Sequence, residues 1–416
     1  MERGGRRNLL RDRGSQQRVT NIELFFDLVY VFAVTQLSHY LLRRPTVDGA
    51  LQTGLLLAMV WLLWAYTTWV TNWLDPDQIA VRLLLLALML GSLVMSAALP
   101  EAFGSGGLLV GCAYAAMQIG RSAFTVAGLP GQPLQRNFER ILAWCVLSGA
   151  LAVLGGVASG SARELLWLGA VGVDLLGGAV GFYTPRLGRS STQEWDIEGG
   201  HLAERCQAFI LIALGESIVV IGETLAGPLT RHAGVRGATI TAFLAAFVAS
   251  AGLWWIYFDR SADAGARVIS ESADPGRLGR SAYHFIHPIM VAGIIVTAAA
   301  DEIVLSHPSE PATASTSWLL LGGTGLFIAG HAGFKAALWR RLSWQRIGAL
   351  GALALLGALA PHVSALVLAA CTAAVVVAVC AADSLLTGSF AAAGASVAAA
   401  AAAGETAAAA GETAGE

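Results

Sequence analysis

Six carboxylates sit where an apolar chain offers them little water: Glu23, Asp27, Asp174, Glu204, Glu216 and Glu223. Glu23 and Asp27 fall inside TNIELFFDLVYVFAVTQLSHYLL (20–42), a run apolar enough to cross a bilayer that also holds Gln36 and His39. A carboxylate near the bilayer centre costs roughly 2.5–3.5 kcal/mol on insertion scales, so such groups face a protein interior or a wet cavity. Glu23 and Asp27 are four residues apart and share one helix face.

Glu216 lies thirteen residues into the segment 203–225, near its middle. Glu223 follows two turns later on nearly the same face, and with Glu204 the spacing predicts a line of carboxylates along one helix. A carboxylate buried away from water can hold a proton near neutral pH. That chemistry suits a proton or cation relay; the competing role is a hydrogen-bonded clamp between helices. Asp174 lies mid-way along 164–184, and the counterpart stretch 372–379 carries no charge, which predicts a role specific to one half of the chain.

The basic residues supply counter-ions. Arg121 and Arg140 are expected at the depth of Glu23 and Asp27; Glu204, Arg205, His331 and Arg346 are expected at the same depth in the second half. This reads as two layers of ion pairs, one per half, since pairing is the ordinary way to neutralise buried charge. A gate whose pairs break on opening is the alternative. His284 and His287 are three apart, as metal-ligand pairs can be, but no acid or cysteine follows at a useful helical spacing, and no metal or other cofactor is expected. The five cysteines form no CxxC pair and read as small apolar residues. No P-loop, GxGxxG or GxSxG is present; GESIV (215–219) lacks the closing glycine of a nucleophile elbow. Enzymatic activity is therefore not expected.

The elements that must position these groups are membrane helices. Of 416 residues, 56% are hydrophobic and 13% are charged, against about 25% charged in soluble domains. The net charge of −2 gives no case for a nucleic-acid partner. A span needs about 20 mostly apolar residues. Twelve segments qualify: 22–42, 50–73, 80–99, 105–126, 138–158, 164–184, 203–225, 236–258, 283–303, 317–338, 343–359 and 363–382, the last two meeting at Ala360-Pro361-His362. With the N-terminus in the cytoplasm, 21 of the 26 lysines and arginines fall on the cytoplasmic side, a strong positive-inside bias. No short apolar core with a small-residue cleavage site follows the arginine-rich head, so the first span is expected to stay in the membrane. The tryptophans Trp61, Trp64, Trp69, Trp73, Trp254 and Trp255 read mainly as interface anchors and packing. Gly107xxxGly111 and Gly177xxxGly181 permit close helix approach.

Matches recur at offsets of roughly 180–210 residues: Glu23-Leu-Phe-Phe with Glu204-Arg-Cys-Gln, Trp64-Ala-Tyr66 with Trp255-Ile-Tyr257, SAALPE (96–101) with TAAADE (297–302), Gly120-Arg-Ser-Ala-Phe124 with Gly330-His-Ala-Gly-Phe334, Phe138-Glu-Arg140 with Trp344-Gln-Arg346. They predict a duplication, and six spans per copy make the copies run the same way through the membrane. The expected organisation is a basic cytoplasmic arm (1–19), a six-span repeat (20–184), a polar cytoplasmic linker (185–202), a second six-span repeat (203–383) and a disordered Ala/Gly/Glu tail (384–416). The fold class is all-α and polytopic.

ELFFDLVYVFAVTQLSHYL and HLAERCQAFILIALGESIVVIGE (201–223) resemble the bacterial low temperature requirement A (LtrA) family, over roughly residues 20–383. The resemblance implies a polytopic inner-membrane protein and no settled activity. FFDLVYVFAVTQL (25–37) is also similar to the FSDG-type first helix of a potassium-channel family of bacteria and lysosomes, through Phe25, Asp27, Val29, Tyr30, Ala33, Val34 and Thr35; Phe26 and Leu28 depart from it, and Glu23 stands where a basic partner is looked for. Three functions are carried forward. The first is a proton- or cation-coupled secondary transporter, the second a potassium-type cation channel, the third a non-transporting membrane stress-adaptation protein. The expected partners are the lipid bilayer and a small solute or ion, with a homo-oligomer left open. Both termini are expected in the cytoplasm.

Overall fold

The computed structural model describes residues 9–11, 18–190, 197–230, 237–259 and 261–385. Most of the predicted N-terminal arm, residues 191–196 of the predicted linker and the predicted tail beyond residue 385 lie outside them. The described residues are helical, with no named strand. The first half comprises α1 (Asn21–Arg43), α2 (Val47–Trp73), α3 (Ile79–Ala98), α4 (Gly107–Gly128), α5 (Pro133–Val157) and α6 (Ser161–Ala179). The second comprises α7 (Gly199–Thr230), α8 (Gly237–Phe258), the short α9 (Ser261–Ser270) and α10 (Pro275–Leu278), a π-helix (Gly279–Ile286), α11 (His287–Ser306), α12 (Ala314–Trp339) and α13 (Trp344–Leu359). A final helix, α14, covers Ala365–Leu385. A helix lies over each of the twelve apolar segments. Among the described residues, eight helical stretches are long and apolar enough to cross a membrane. These comprise α1, α2, α3 with its following turn, α5, α7, α8 continued through α9, α10 continued through α11, and α14. α13 has only 16 residues, short of the roughly 20 a span needs.

Local chemistry sets the boundaries. α1 opens with a capping box: the Thr20 backbone N–H donates to Glu23 Oε2 at 2.9 Å. Thr46 and Thr313 accept from the backbone N–H of Gly49 and Thr316, each at 3.1 Å, and so cap α2 and α12. Pro133 opens α5, where its missing N–H costs nothing. Ala360-Pro361-His362 forms one 3₁₀ turn between α13 and α14.

Within the first half α1 packs on α3, α3 on α4, and α4 on α5; within the second α7 packs on α11, α11 on α12, and α12 on α13. The halves meet through α1 and α2, which both lie against α7 and α11. Close approach relies on glycine. A Cβ on Gly111 of α4 would lie 2.3 Å from the Ala152 carbonyl oxygen of α5, and one on Gly293 of α11 would lie 2.5 Å from the Phe327 nitrogen of α12. Gly177xxxGly181 does not work this way: α6 ends at Ala179, and Gly181, with φ of +68°, is in a turn whose backbone bonds to Ser190. The tryptophans divide. Trp61, Trp64 and Trp73 are buried in the core, whereas Trp254 and Trp255 are exposed on the outside of the bundle.

Candidate functional site

The first polar cluster joins the halves. α1 and α7 run side by side in the same direction, so Glu23 and Asp27, four residues apart, meet His201 and Arg205, also four apart. Arg205 donates from Nε to Asp27 Oδ2 at 2.8 Å and from Nη2 to Asp27 Oδ1 at 2.6 Å. Its Nη1 reaches Glu23 Oε1 at 3.1 Å and Thr71 Oγ1 at 3.2 Å. His201 Nε2 lies 3.0 Å from Glu23 Oε1, Arg11 Nη2 lies 2.8 Å from Glu23 Oε2, and Trp64 Nε1 donates to Asp27 Oδ1 at 2.6 Å. All of these except Arg11 are buried. Bidentate guanidinium–carboxylate pairing is strong and geometrically specific. This network is a clamp, with its acids saturated by donors.

The expected layering of one ion-pair set per half is thereby corrected. Arg205, predicted in the second layer, is the partner of the first-half acids. Arg140 donates to the Leu187 carbonyl from Nε and Nη2 at 3.0 and 2.7 Å and to Asn137 Oδ1 at 2.6 Å. Arg121 is taken up by Gln118 Oε1, Thr67 Oγ1 and the Leu63 carbonyl. Helical periodicity places residues on faces but does not say which helix comes alongside.

The second cluster centres on Glu216 of α7, which is 2% exposed. Thr35 Oγ1 of α1 lies 2.5 Å from Glu216 Oε2, and Glu216 Oε1 has no partner among the described residues. The Val31 carbonyl lies 3.1 Å from the same Thr35 hydroxyl. A hydroxyl has one proton. Aimed at Glu216, that proton serves a bare carboxylate; aimed at Val31, it leaves Thr35 to accept a proton borne by Glu216. Both protonation states fit without a heavy atom moving. His39, Glu223 and Glu302 lie within electrostatic reach of Glu216. The predicted carboxylate line is only partly present. Glu204 is exposed while His201 and Arg205 beside it are buried. Twelve residues are three and a third turns, which sets Glu204 about 120° around the helix from Glu216. Glu223 shares the Glu216 face but is exposed near the far end of α7.

The third cluster holds Asp174 of α6. Tyr114 donates to its Oδ2 at 2.5 Å and Gln118 Nε2 at 2.8 Å, and Gln118 Oε1 then accepts from Arg121. Tyr66 donates to the Asp174 carbonyl at 3.0 Å. A fourth cluster lies in the second half. Arg346 of α13 donates from Nε to His331 Nδ1 at 2.8 Å, and from Nη1 and Nη2 to Asp383 Oδ1 and Oδ2 at 3.1 and 2.6 Å. The stretch 372–379 carries no charge, as expected, and Asp383 lies four residues beyond it. His284 and His287 part company: His287 bonds Tyr257 at 2.8 Å and the Ala282 carbonyl at 3.0 Å, while the His284 ring stands edge-on to Tyr66.

Arg11, Tyr114, Gln118, His201 and Asp383 join these clusters without having been singled out; in the sequence Trp64 reads as an anchor or packing residue, and Thr35 figures only in the resemblance over residues 25–37. The signal for His201 and Arg205 is their four-residue spacing, which matches that of Glu23 and Asp27.

The model of the family described as bacterial low temperature requirement A protein (LtrA) matches residues 18–381. An uncharacterized protein of Rhizobium meliloti (strain 1021) is 35% identical over 358 residues, covering 86% of each chain. No solved structure matches the chain.

Proposed function

The chain belongs to the bacterial low temperature requirement A family, and from that premise we propose that it is a secondary transporter coupled to protons or a cation, with Glu216 as the coupling carboxylate. The observation that carries this reading is the Thr35–Glu216 pair. It is a buried carboxylate with one oxygen held by a hydroxyl that can donate or accept, and the other oxygen left open. His39, Glu223 and Glu302 lie within electrostatic reach of it and are the titratable groups a proton relay would draw on. The clamp at Asp27 and Arg205 lacks that freedom, because its oxygens are saturated by fixed donors.

The architecture supports the reading. The packing of α1 on α3 and of α7 on α11 and the parallel run of α1 and α7 fit two parallel repeats of six spans. Alternating access is then a rocking of one repeat against the other about the α1–α7 contact. The arginine bias supports an orientation with both termini in the cytoplasm, and an inner-membrane location goes with this reading. The partners are the bilayer and a small solute or ion, and the mechanism needs no enzymatic step.

The experiment is flux in proteoliposomes under imposed proton and potassium gradients, with wild type beside Glu216→Gln. Wild-type flux abolished by Glu216→Gln supports the transporter. Fast potassium flux that survives the substitution supports the channel class suggested by residues 25–37, and rejects Glu216 as the coupling group.

A further inference from the structure

At the end of the bundle opposite the Asp27–Arg205 clamp, a cleft of about 430 Å³ opens between the C-terminal ends of α1 and α11, the turn after α11 and the start of α12. Leu42, Glu302, Ser306, His307, Glu310 and Thr313 line it. A water needs only roughly 10–15 Å³ of such space, so the cleft has room for many. Its charged groups are Glu302 and Glu310, with His307 Nδ1 3.2 Å from Glu310 Oε1, and no lysine or arginine lines it among the described residues. Glu302 is half-buried.

Glu302 belongs both to this cleft and to the group around Glu216. His39 and Glu223 lie within electrostatic reach of both carboxylates. The depths of these groups follow from the helices that carry them. Leu41 of α1, Ile221 of α7 and Ala300 of α11 pack in one core cluster, so the three helices are in step at that level. Glu223 and Glu302 each stand two residues beyond it, about 3 Å nearer the cleft end. His39 stands two residues short of it, with Thr35 one turn deeper on the same face of α1. Glu216 is five residues short, about 8 Å deeper than Ile221. The titratable groups thus descend from the cleft to Glu216 in steps of roughly 4–6 Å in depth, which one bridging water can span. At the bottom, Glu216 Oε1 is buried and has no partner among the described residues.

Towards the clamp the way is shut. Phe209, seven residues before Glu216 on α7, has its ring centre 5.2 and 4.7 Å from those of Trp61 and Trp64 and 6.0 Å from that of Tyr30. All four rings are buried, and the saturated clamp lies beyond them. We propose that Glu302 is the entry residue of a proton route to Glu216: a proton taken from water in the cleft passes by way of His39 to Oε1 of Glu216, so that in this structure the coupling carboxylate is open to the cleft end and closed to the clamp end. An imidazole suits the middle step, since it accepts a proton at one ring nitrogen and releases one from the other. With the termini in the cytoplasm, the cleft faces the far side of the membrane. The inference rests on the transporter reading of Glu216, and the test below tells the failure of one from the failure of the other.

The test compares proton-driven flux in proteoliposomes of the full chain for wild type, Glu216→Gln, Glu302→Gln and Glu302→Asp. Glu302→Gln is expected to slow flux by about tenfold or more, and Glu302→Asp, which keeps an ionisable carboxyl, to restore most of it. Both should melt as the wild type does, because Glu302 is half-buried at the edge of the bundle. A further variant tests the route without touching a titratable group. Ser306 lines the cleft and is exposed. Ser306→Cys should carry wild-type flux until a bulky maleimide is attached in detergent before reconstitution, and should then slow by about tenfold or more. Wild type treated alike controls for the native thiols, of which Cys112 is exposed. Flux that is lost in Glu216→Gln yet unchanged in Glu302→Gln or in the plugged Ser306→Cys protein overturns the route alone. Equal slowing in Glu302→Asp and Glu302→Gln also overturns it, because a lost proton carrier is then not the cause. Flux absent from the wild type, or surviving Glu216→Gln, overturns the coupling role of Glu216 and the route with it.

Discussion

Arg205 on α7 and Asp27 on α1 meet through two parallel hydrogen bonds, at 2.8 and 2.6 Å, with both side chains buried. The same guanidinium reaches Glu23, so one side chain of the second half satisfies both acids of the first. Breaking a buried pair from one side strands the remaining charge and costs about 3–5 kcal/mol. Arg205→Gln and Asp27→Asn should each lower the melting temperature in detergent sharply. Arg205→Lys should fail to rescue, because an ammonium cannot reproduce the planar fork. In a double-mutant cycle the pair Asp27→Asn/Arg205→Gln should lose markedly less than the sum of the two singles. Strict additivity would mean that the two groups do not interact as the geometry requires.

The Thr35–Glu216 pair makes a contrasting prediction. Glu216→Gln keeps an oxygen facing Thr35 and brings no new charge, so its melting temperature should stay close to wild type while proton-coupled flux is lost. Thr35→Val removes the hydroxyl and leaves both carboxylate oxygens without a donor, at a cost of about 1–3 kcal/mol. A Glu216→Gln protein that melts as early as Arg205→Gln would recast Glu216 as a structural clamp.

Much of this is legible in the amino-acid sequence. Each apolar segment became a helix, and the shared face of Glu23 and Asp27 follows from their spacing alone. What periodicity could not supply was adjacency: nothing in the run of residues says that α7 rather than α4 or α5 lies against α1, so Arg121 and Arg140 were given partners that Arg205 in fact takes. Glu204 was misplaced by its angle, since twelve residues do not close a whole number of turns. Trp64, expected among interface anchors and packing residues, is buried because its indole N–H has an acid to serve in Asp27.

Asp383 should matter less than Asp27 despite similar bonding. Both receive two hydrogen bonds from an arginine, but the Asp383 side chain is 22% exposed and that of Asp27 is 2% exposed. Water reaches the Asp383 end of the pair, although the Arg346 side chain is fully buried. Asp383→Asn should therefore cost less than Asp27→Asn, measured by thermal unfolding in the same detergent. Equal losses would show that the exposed end of α14 is sealed in the folded protein by something the chain alone does not provide.

Two glycines of α4 separate close packing from helix propensity. Gly111 faces α5 so tightly that a Cβ would stand 2.3 Å from the Ala152 carbonyl oxygen, which is backbone and cannot rotate away. Gly120, nine residues on in the same helix, has no atom within 4 Å of its would-be Cβ. Alanine at Gly111 must push α4 and α5 apart, and overpacking of that kind costs about 1–3 kcal/mol. Alanine at Gly120 meets nothing and removes the conformational freedom of glycine in a helix interior, so it should be neutral or stabilise by up to about 1 kcal/mol. Thermal unfolding of Gly111→Ala and Gly120→Ala in one detergent decides the matter. Opposite signs, or a clear loss against no change, place the α4–α5 contact where the glycines put it; a harmless Gly111→Ala would mean that the two backbones do not touch at that point.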